Sequence, residues 1–190
     1  WEDNRMNGVE KMHSVMAEVN KVIIGKEDAV KKVTTAILAG GHVLIEDIPG
    51  VGKTTLATAF SKAMSLEFNR MQFTPDVIPS DITGFSLYNK STGTFEYKEG
   101  VILCNLFLAD EINRASSKTQ SALLEAMEEG SVTVDGVTRT LPDIFTVIAT
   151  QNPVGSVGTS MLPESQLDRF MFKLSLGYPT INNELEILKQ

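Results

Sequence analysis

The stretch His42-Val43-Leu44-Ile45-Glu46-Asp47-Ile48-Pro49-Gly50-Val51-Gly52-Lys53-Thr54 decides the fold. Its apolar run, Val43-Leu44-Ile45, predicts a short buried strand. A glycine-rich turn follows at 49–52, and a helical pattern runs from Lys53 to about Ser65. Glycines let the backbone turn tightly and bring N–H groups toward an anion. The helix N-terminus adds its dipole, Lys53 supplies a point charge, and the Thr54 hydroxyl is placed to ligate Mg2+. The arrangement is that of a loop that cradles phosphates. One departure is plain: the full pattern G-x-x-x-x-G-K-[ST] asks for glycine at position 47, where Asp47 stands.

Outward from this loop the chain alternates between helix and strand. Residues 5–38 read as helical with a break near Ile24-Gly25, and Gly40-Gly41 closes the second half. Phe68 to Phe73 alternates like a strand. Leu106 to Ala109, Phe145 to Ala149 and Phe172 to Leu176 are further strand candidates. Short apolar strands separated by helices predict an α/β fold with a mainly parallel sheet covered on both faces. Two segments break the rhythm as hairpins: Phe85 to Tyr97, turning at Lys90-Ser91-Thr92-Gly93, and Ser131 to Thr140, turning at Asp135-Gly136.

Two more strand ends carry polar groups. Leu106-Phe107-Leu108-Ala109 runs into Asp110-Glu111, so a buried strand delivers two acids to its carboxyl edge, where open α/β sheets bind ligands. Asp110 would hold Mg2+ through water, and Glu111 would polarise an attacking water. Two solvated acids at a strand end are common alone, but beside Gly52-Lys53-Thr54 they read as one site. A third strand ends in Ala149-Thr150-Gln151-Asn152. Asn152 there either bonds the terminal phosphate or the lytic water, or simply opens a turn at Asn152-Pro153.

Composition bounds the alternatives. The chain has 190 residues, 17 basic against 24 acidic, and a net charge of -7. One domain is the default for this length. The acidic balance disfavours a dedicated nucleic-acid binder. No apolar run approaches the roughly 20 residues of a membrane span. The single cysteine, Cys104, permits no internal disulfide and precedes an apolar strand as an inert buried thiol. His13 and His42 are far apart and lack partners at zinc-ligand spacing. Met6, Met12 and Met16 on the opening helical stretch read as a core or subunit face.

Together these residues resemble the MoxR-type AAA+ ATPases. The resemblance rests on Glu46 to Thr54, on Ala109-Asp110-Glu111-Ile112-Asn113-Arg114-Ala115, on Thr119 to Glu129 and on Ile148 to Pro153. It extends to Leu162-Pro163-Glu164-Ser165-Gln166-Leu167-Asp168-Arg169-Phe170, and covers about residues 20–190. The resemblance also accounts for Asp47, since this family tolerates a residue other than glycine there. Ser116-Ser117 and Ser160-Met161 depart from its usual pattern, outside the phosphate chemistry.

The resemblance implies a P-loop NTPase three-layer sandwich with a five-stranded sheet and two inserted hairpins. It implies ATP or ADP with Mg2+ as ligands, bound by Pro49, Gly50, Val51, Gly52, Lys53, Thr54 and Thr55, with adenine packed against Ile23 and Ile24. Metal contacts fall to Thr54 and Asp110, and the catalytic set to Lys53, Asp110, Glu111, Asn152 as sensor 1 and Arg169 as an arginine finger. Read from the residues alone, Arg169 is a surface ion pair with Asp168 or Glu164. Arg114 is the second candidate for a contact between subunits, and Gln72 a weaker candidate as a switch partner for Glu111.

The two hairpins resemble the helix-2 insert and the hairpin before sensor 1, which in similar proteins face the ring pore or a client. The expected assembly is a homo-oligomeric ring, a hexamer, acting with a von Willebrand factor A-domain protein on a protein client in the cytoplasm, without membrane insertion. Residues 1–177 are expected to form the catalytic core, with an N-terminal helix at about 5–20. Residues 178–190 are expected to begin a helical lid that the chain truncates, weakening nucleotide binding and ring assembly. Two other readings stand beside this one: an ATP-gated assembly switch with little turnover, and a DNA-remodelling motor.

Overall fold

The computed structural model describes residues 7–47, 50–152 and 162–189. Two helices open it, α1 (Gly8–Val22) and α2 (Glu27–Ala39). The Asn7 carboxamide accepts from Glu10 N–H at 2.9 Å while the Glu10 carboxylate accepts from Asn7 N–H at 2.9 Å. This reciprocal cap sets where α1 begins. Gly40, in the left-handed region at φ 66°, closes α2 as the Gly40-Gly41 pair predicts. Then follow β1 (Val43–Glu46), α3 (Lys53–Met64), β2 (Phe68–Gln72), α4 (Pro79–Thr83), β3 (Gly84–Asn89), β4 (Thr94–Glu99) and β5 (Leu106–Asp110). After a 3-10 turn at Ile112–Arg114 come α5 (Ser117–Glu129), β6 (Ser131–Val134), β7 (Val137–Thr140), β8 (Thr146–Gln151), α6 (Glu164–Leu167), β9 (Phe172–Leu174) and α7 (Ile181–Ile187).

The main sheet has the order β2-β5-β8-β1-β9, and every pair in it is parallel. The expected α/β class and five strands are therefore what forms. The chain leaves β1 through α3 for the far edge strand β2, whereas β8 leads back across β1 to β9. Connections thus diverge around β1, and a crevice opens at the carboxyl ends of the strands, where α/β sheets bind ligands.

The apolar runs are continuous because each strand is buried on both faces. Val43 and Ile45 pack with Val30, Val33, Leu56 and Phe60 of α2 and α3. Leu44 points the other way, with Phe107, Val147 and Leu123. Each fully buried Leu or Phe among these contributes about 1.5–3 kcal/mol. Met16 packs against the first of these cores, as expected for a core face on the opening helix. His42 ties the layers together: its Nδ1 accepts from Val147 N–H at 3.0 Å and its Nε2 donates to Met127 O at 3.2 Å, while burial pushes its pKa down and keeps the ring neutral. Burial also pushes the Cys104 thiol up to about 12, which makes it unreactive. Among the described residues, no helix is long and apolar enough to cross a membrane.

Both hairpins form outside the main sheet: β3 with β4, and β6 with β7. Asp135 and Gly136 both take positive φ (53° and 75°), the geometry of a type I′ turn. The Arg139 guanidinium lies 3.6 Å from the centroid of the Tyr97 ring, so the two hairpins touch.

Among the boundaries that differ from expectation is the end of the last strand. The last strand stops at Leu174 rather than Leu176. The reason lies in Asp47, whose carboxylate accepts from Leu176 N–H, from Gly177 N–H at 3.3 Å and from the Ser175 hydroxyl at 3.0 Å, drawing this segment out of the sheet.

Candidate active site

The carboxyl ends of β1, β5 and β8 bring Lys53, Thr54, Asp110, Glu111 and Asn152 together. Gly52, at φ 92°, takes the left-handed conformation that a side chain would resist, and directly precedes α3. Lys53 is the first residue of that helix, and Thr54 and Thr55 follow in its first turn. A cleft of about 410 Å³ is lined by Gly50, Gly52, Lys53, Thr54, Thr55, Arg70, Gln72, Asp110 and Glu111. It adjoins a second, mainly apolar cleft of about 440 Å³, which includes Ile23, Ile24, Val51, Leu176, Ile187 and Leu188. Gly50, Gly52 and Thr55 line both. The site is therefore one trough with a polar end and an apolar end. Pro49, which the resemblance places at the nucleotide, lies outside the described residues.

The Lys53 ammonium is buried and donates to the Asp47 carbonyl at 2.8 Å. Burial pushes its pKa down, while the charges of Asp110, Asp47 and Glu111 oppose that shift. Asp47 thus serves the loop twice: its carbonyl positions Lys53, and its carboxylate fastens the segment after β9. This explains why the general motif's glycine is absent here. Replacing Asp47 by Gly would restore that motif on paper. It would also leave the buried Leu176 N–H and the N–H of Gly177 without their acceptor, and we expect a loss of about 2 kcal/mol, read as a lower midpoint in urea unfolding.

Asp110 is held at both oxygens. Thr150 Oγ1 donates to Oδ1 at 2.6 Å, and Arg70 Nη2 donates to Oδ2 at 2.8 Å. The Thr150 hydroxyl in turn accepts from Glu111 N–H at 2.8 Å, fixing the turn at which the strand ends. Glu111 itself sits in the left-handed region at φ 56°, a conformation that costs a glutamate roughly 1–3 kcal/mol and tends to cluster at functional sites. Its Oε1 accepts from Asn152 Nδ2 at 3.1 Å and its Oε2 from Arg114 Nη1 at 3.0 Å. Behind it, buried Gln120 donates from Nε2 to the carbonyls of Ile112 and Ala115 and braces the turn. Asn113 Nδ2 reaches the Asn152 carbonyl at 3.4 Å and links the two strand tips. Ser116, one of the departures from the family pattern, caps α5 by accepting from Thr119 N–H at 3.3 Å.

Two expectations need correction, those for the partners of Gln72 and of Arg169. Gln72 does not meet Glu111; its Oε1 accepts from Arg70 at 3.5 Å, while Glu111 is bonded by Arg114 and Asn152. Arg114 pairs with Glu111 of its own chain. Arg169 lies outside its own chain's cleft, donating to Ser165 O at 2.7 Å and to Glu128 Oε2 at 2.8 Å, so neither Asp168 nor Glu164 is its partner.

Arg70, Thr150, Asn113 and Gln120 escaped the sequence reading. Thr150 left a signal, a hydroxyl continuing an apolar strand, since a buried polar group needs a bonded partner. Arg70 left a weaker one, a charge at alternate spacing with Gln72 on an edge strand.

The donors fit a hard divalent cation: the Thr54 hydroxyl and the Asp110 carboxylate are oxygen ligands lining one cleft. The backbone of a glycine loop, a helix N-terminus and Lys53 fit phosphates, and the apolar end fits a flat base.

Comparison with known proteins agrees with this geometry. Residues 42–172 match the family model described as "ATPase family associated with various cellular activities (AAA)". The chain is 57% identical over 183 residues to the uncharacterized protein YeaC of Bacillus subtilis, covering 94% of this chain and 57% of that protein. It is 43% identical over 180 residues to the chaperone MoxR1 of Mycobacterium tuberculosis, covering 95% of this chain and 48% of the relative. The crystal structure of a putative ATPase from Cytophaga hutchinsonii superposes with a TM-score of 0.85 at 46% identity, covering 94% of this chain and 54% of that one. The chain thus spans about half the length of these relatives. A phosphate-loop sheet of this order and a family match across most of its length lead to one assignment: the chain belongs to the MoxR family of AAA+ ATPases.

Proposed function

We propose that this chain binds Mg2+–ATP in the trough and hydrolyses it to ADP and phosphate. The observation that carries the reading is the placing of Glu111: a carboxylate held between Asn152 and Arg114, on the same cleft as Lys53, Thr54 and Asp110. The roles follow from the chemistry each group can do. Lys53 and the loop N–H groups bind phosphate oxygens, Thr54 and Asp110 hold the metal, and Glu111 accepts the proton of a water that Asn152 helps to orient. Bound Mg2+ would neutralise phosphate charge. Ile23 and Ile24 supply an apolar wall for adenine.

Arg169 is assigned to the site of a neighbouring subunit. The support is that its side chain is 36% exposed and bonded to Glu128 away from its own cleft, so a ring is needed to complete the chemistry. Residues 1–177 form the core in this reading, and 178–190 open a helical lid. Supporting the lid, α7 exposes Ile181 and Leu185, while Ile187 and Leu188 border the apolar cleft. The work done is chaperone-like remodelling of a protein client by a hexameric ring, together with a von Willebrand factor A-domain protein. The β3–β4 hairpin, which exposes Phe85, Leu87, Tyr88 and Phe95, suits a client contact.

The test is ATP turnover against protein concentration. Specific activity should rise with concentration, and Arg169→Ala should flatten that rise. Turnover independent of concentration and indifferent to the substitution would refute catalysis between subunits, and an absence of turnover at every concentration would favour an assembly switch.

A further inference from the structure

Arg70 stands on the edge strand β2, and its guanidinium reaches across to Asp110 Oδ2 at 2.8 Å. The contact is asymmetric: the Asp110 side chain is 12% exposed and that of Arg70 45%. With Thr150 on the other oxygen, each oxygen of the carboxylate assigned to the metal already carries one of the chain's own donors. Two cations therefore claim one carboxylate. The other acid of the cleft, Glu111, is bonded instead by Asn152 and Arg114. A guanidinium does not lose its charge at any ordinary pH; it leaves one anion only by finding another, and its planar fork matches phosphate oxygens. Arg70 already lines the same cleft as Lys53 and Thr54.

We infer that Arg70 competes with Mg2+ for Asp110, and that binding of the metal–nucleotide transfers its guanidinium to the terminal phosphate. Arg70 is then a positioning residue that makes metal uptake and phosphate recognition one event. The inference rests on the reading of the cleft as an Mg2+–ATP site.

Fluorescent ADP and ATP analogues, titrated with Mg2+ at fixed nucleotide, test it by equilibrium binding rather than turnover. In Arg70→Ala the half-saturating Mg2+ concentration with ADP, which lacks the terminal phosphate of ATP, should fall by about 2- to 5-fold, the factor a partly exposed ion pair allows. The preference for ATP over ADP should narrow in the same variant. Arg70→Lys keeps a cation for Asp110 without the fork. It should leave the Mg2+ midpoint near that of the unaltered protein and still narrow the preference, so it carries the test if the alanine variant folds poorly. A folded Arg70→Ala protein with an unchanged or raised Mg2+ midpoint with ADP overturns the inference and leaves the site reading intact. Failure of the unaltered protein to bind either nucleotide overturns the site reading itself.

Discussion

Glu111→Gln is expected to lower ATP turnover by about 10²- to 10⁴-fold, the range for removal of a general base. Nucleotide affinity should stay within about threefold, because Glu111 faces the reacting water in this mechanism and the phosphates are bound by other groups. The structure makes the substitution a clean one. A glutamine keeps the shape, and its single carbonyl oxygen still accepts from either Asn152 or Arg114. The Arg114 contact is partly exposed, at 42% and 19% for the two side chains, so its loss costs less than about 1 kcal/mol. Glu111→Gly sharpens the point. Glycine removes the left-handed strain at φ 56° together with the carboxylate. That variant should melt close to the unaltered protein, the released strain offsetting the lost acceptor of the Asn152 amide, and be as inactive as Glu111→Gln. Steady-state turnover, nucleotide titration and thermal melting check all three statements. Turnover retained in Glu111→Gln would remove Glu111 from the mechanism.

Lys53→Met is expected to weaken nucleotide binding by roughly 10- to 100-fold, the value of a charge-assisted bond to phosphate. Turnover should fall further, by about 10²- to 10³-fold, because the lost charge also meets the charge developing in the transition state. Stability should move little, or upward. Burial holds the Lys53 pKa below the ordinary amine value, so the folded state binds this proton less tightly than the unfolded chain does. The cost of keeping the amine charged is fully present below the folded pKa and is relieved as pH rises through it. At neutral pH methionine removes that cost, against which stand the bond to Asp47 O and the attraction of Asp110, Asp47 and Glu111. The readout is a thermal melt with and without nucleotide: a stabilising shift in the unaltered protein, and little or none in Lys53→Met at the same concentration. An equal shift in both proteins would show that the nucleotide binds elsewhere.

Local sequence was sufficient wherever short-range physics fixes the answer. The run Val43-Leu44-Ile45, the glycines at 50 and 52 and the helix opening at Lys53 define a strand, a turn and a cap within a dozen residues, and the structure forms each of them. The Asp135-Gly136 turn was equally legible, since few dipeptides adopt two positive φ angles in succession. Strand ends carrying Asp110-Glu111 and Asn152 could be named as one edge because a parallel sheet aligns its carboxyl ends.

What the sequence alone determined, then, is the class of the fold, its buried strands and the residue types at the phosphate loop, since each follows from hydrophobic period and backbone preference among neighbours. Tertiary structure decided which donor meets which acceptor. Asp47 fastens Leu176 and Gly177 from about 130 residues away, Arg70 finds Asp110 across a strand pair, and Glu111 is held by Arg114 and Asn152 rather than Gln72. The physical reason is that hydrogen bonds and ion pairs depend on ångström-scale distance and direction, and those are set only once strand order and register have brought remote side chains together.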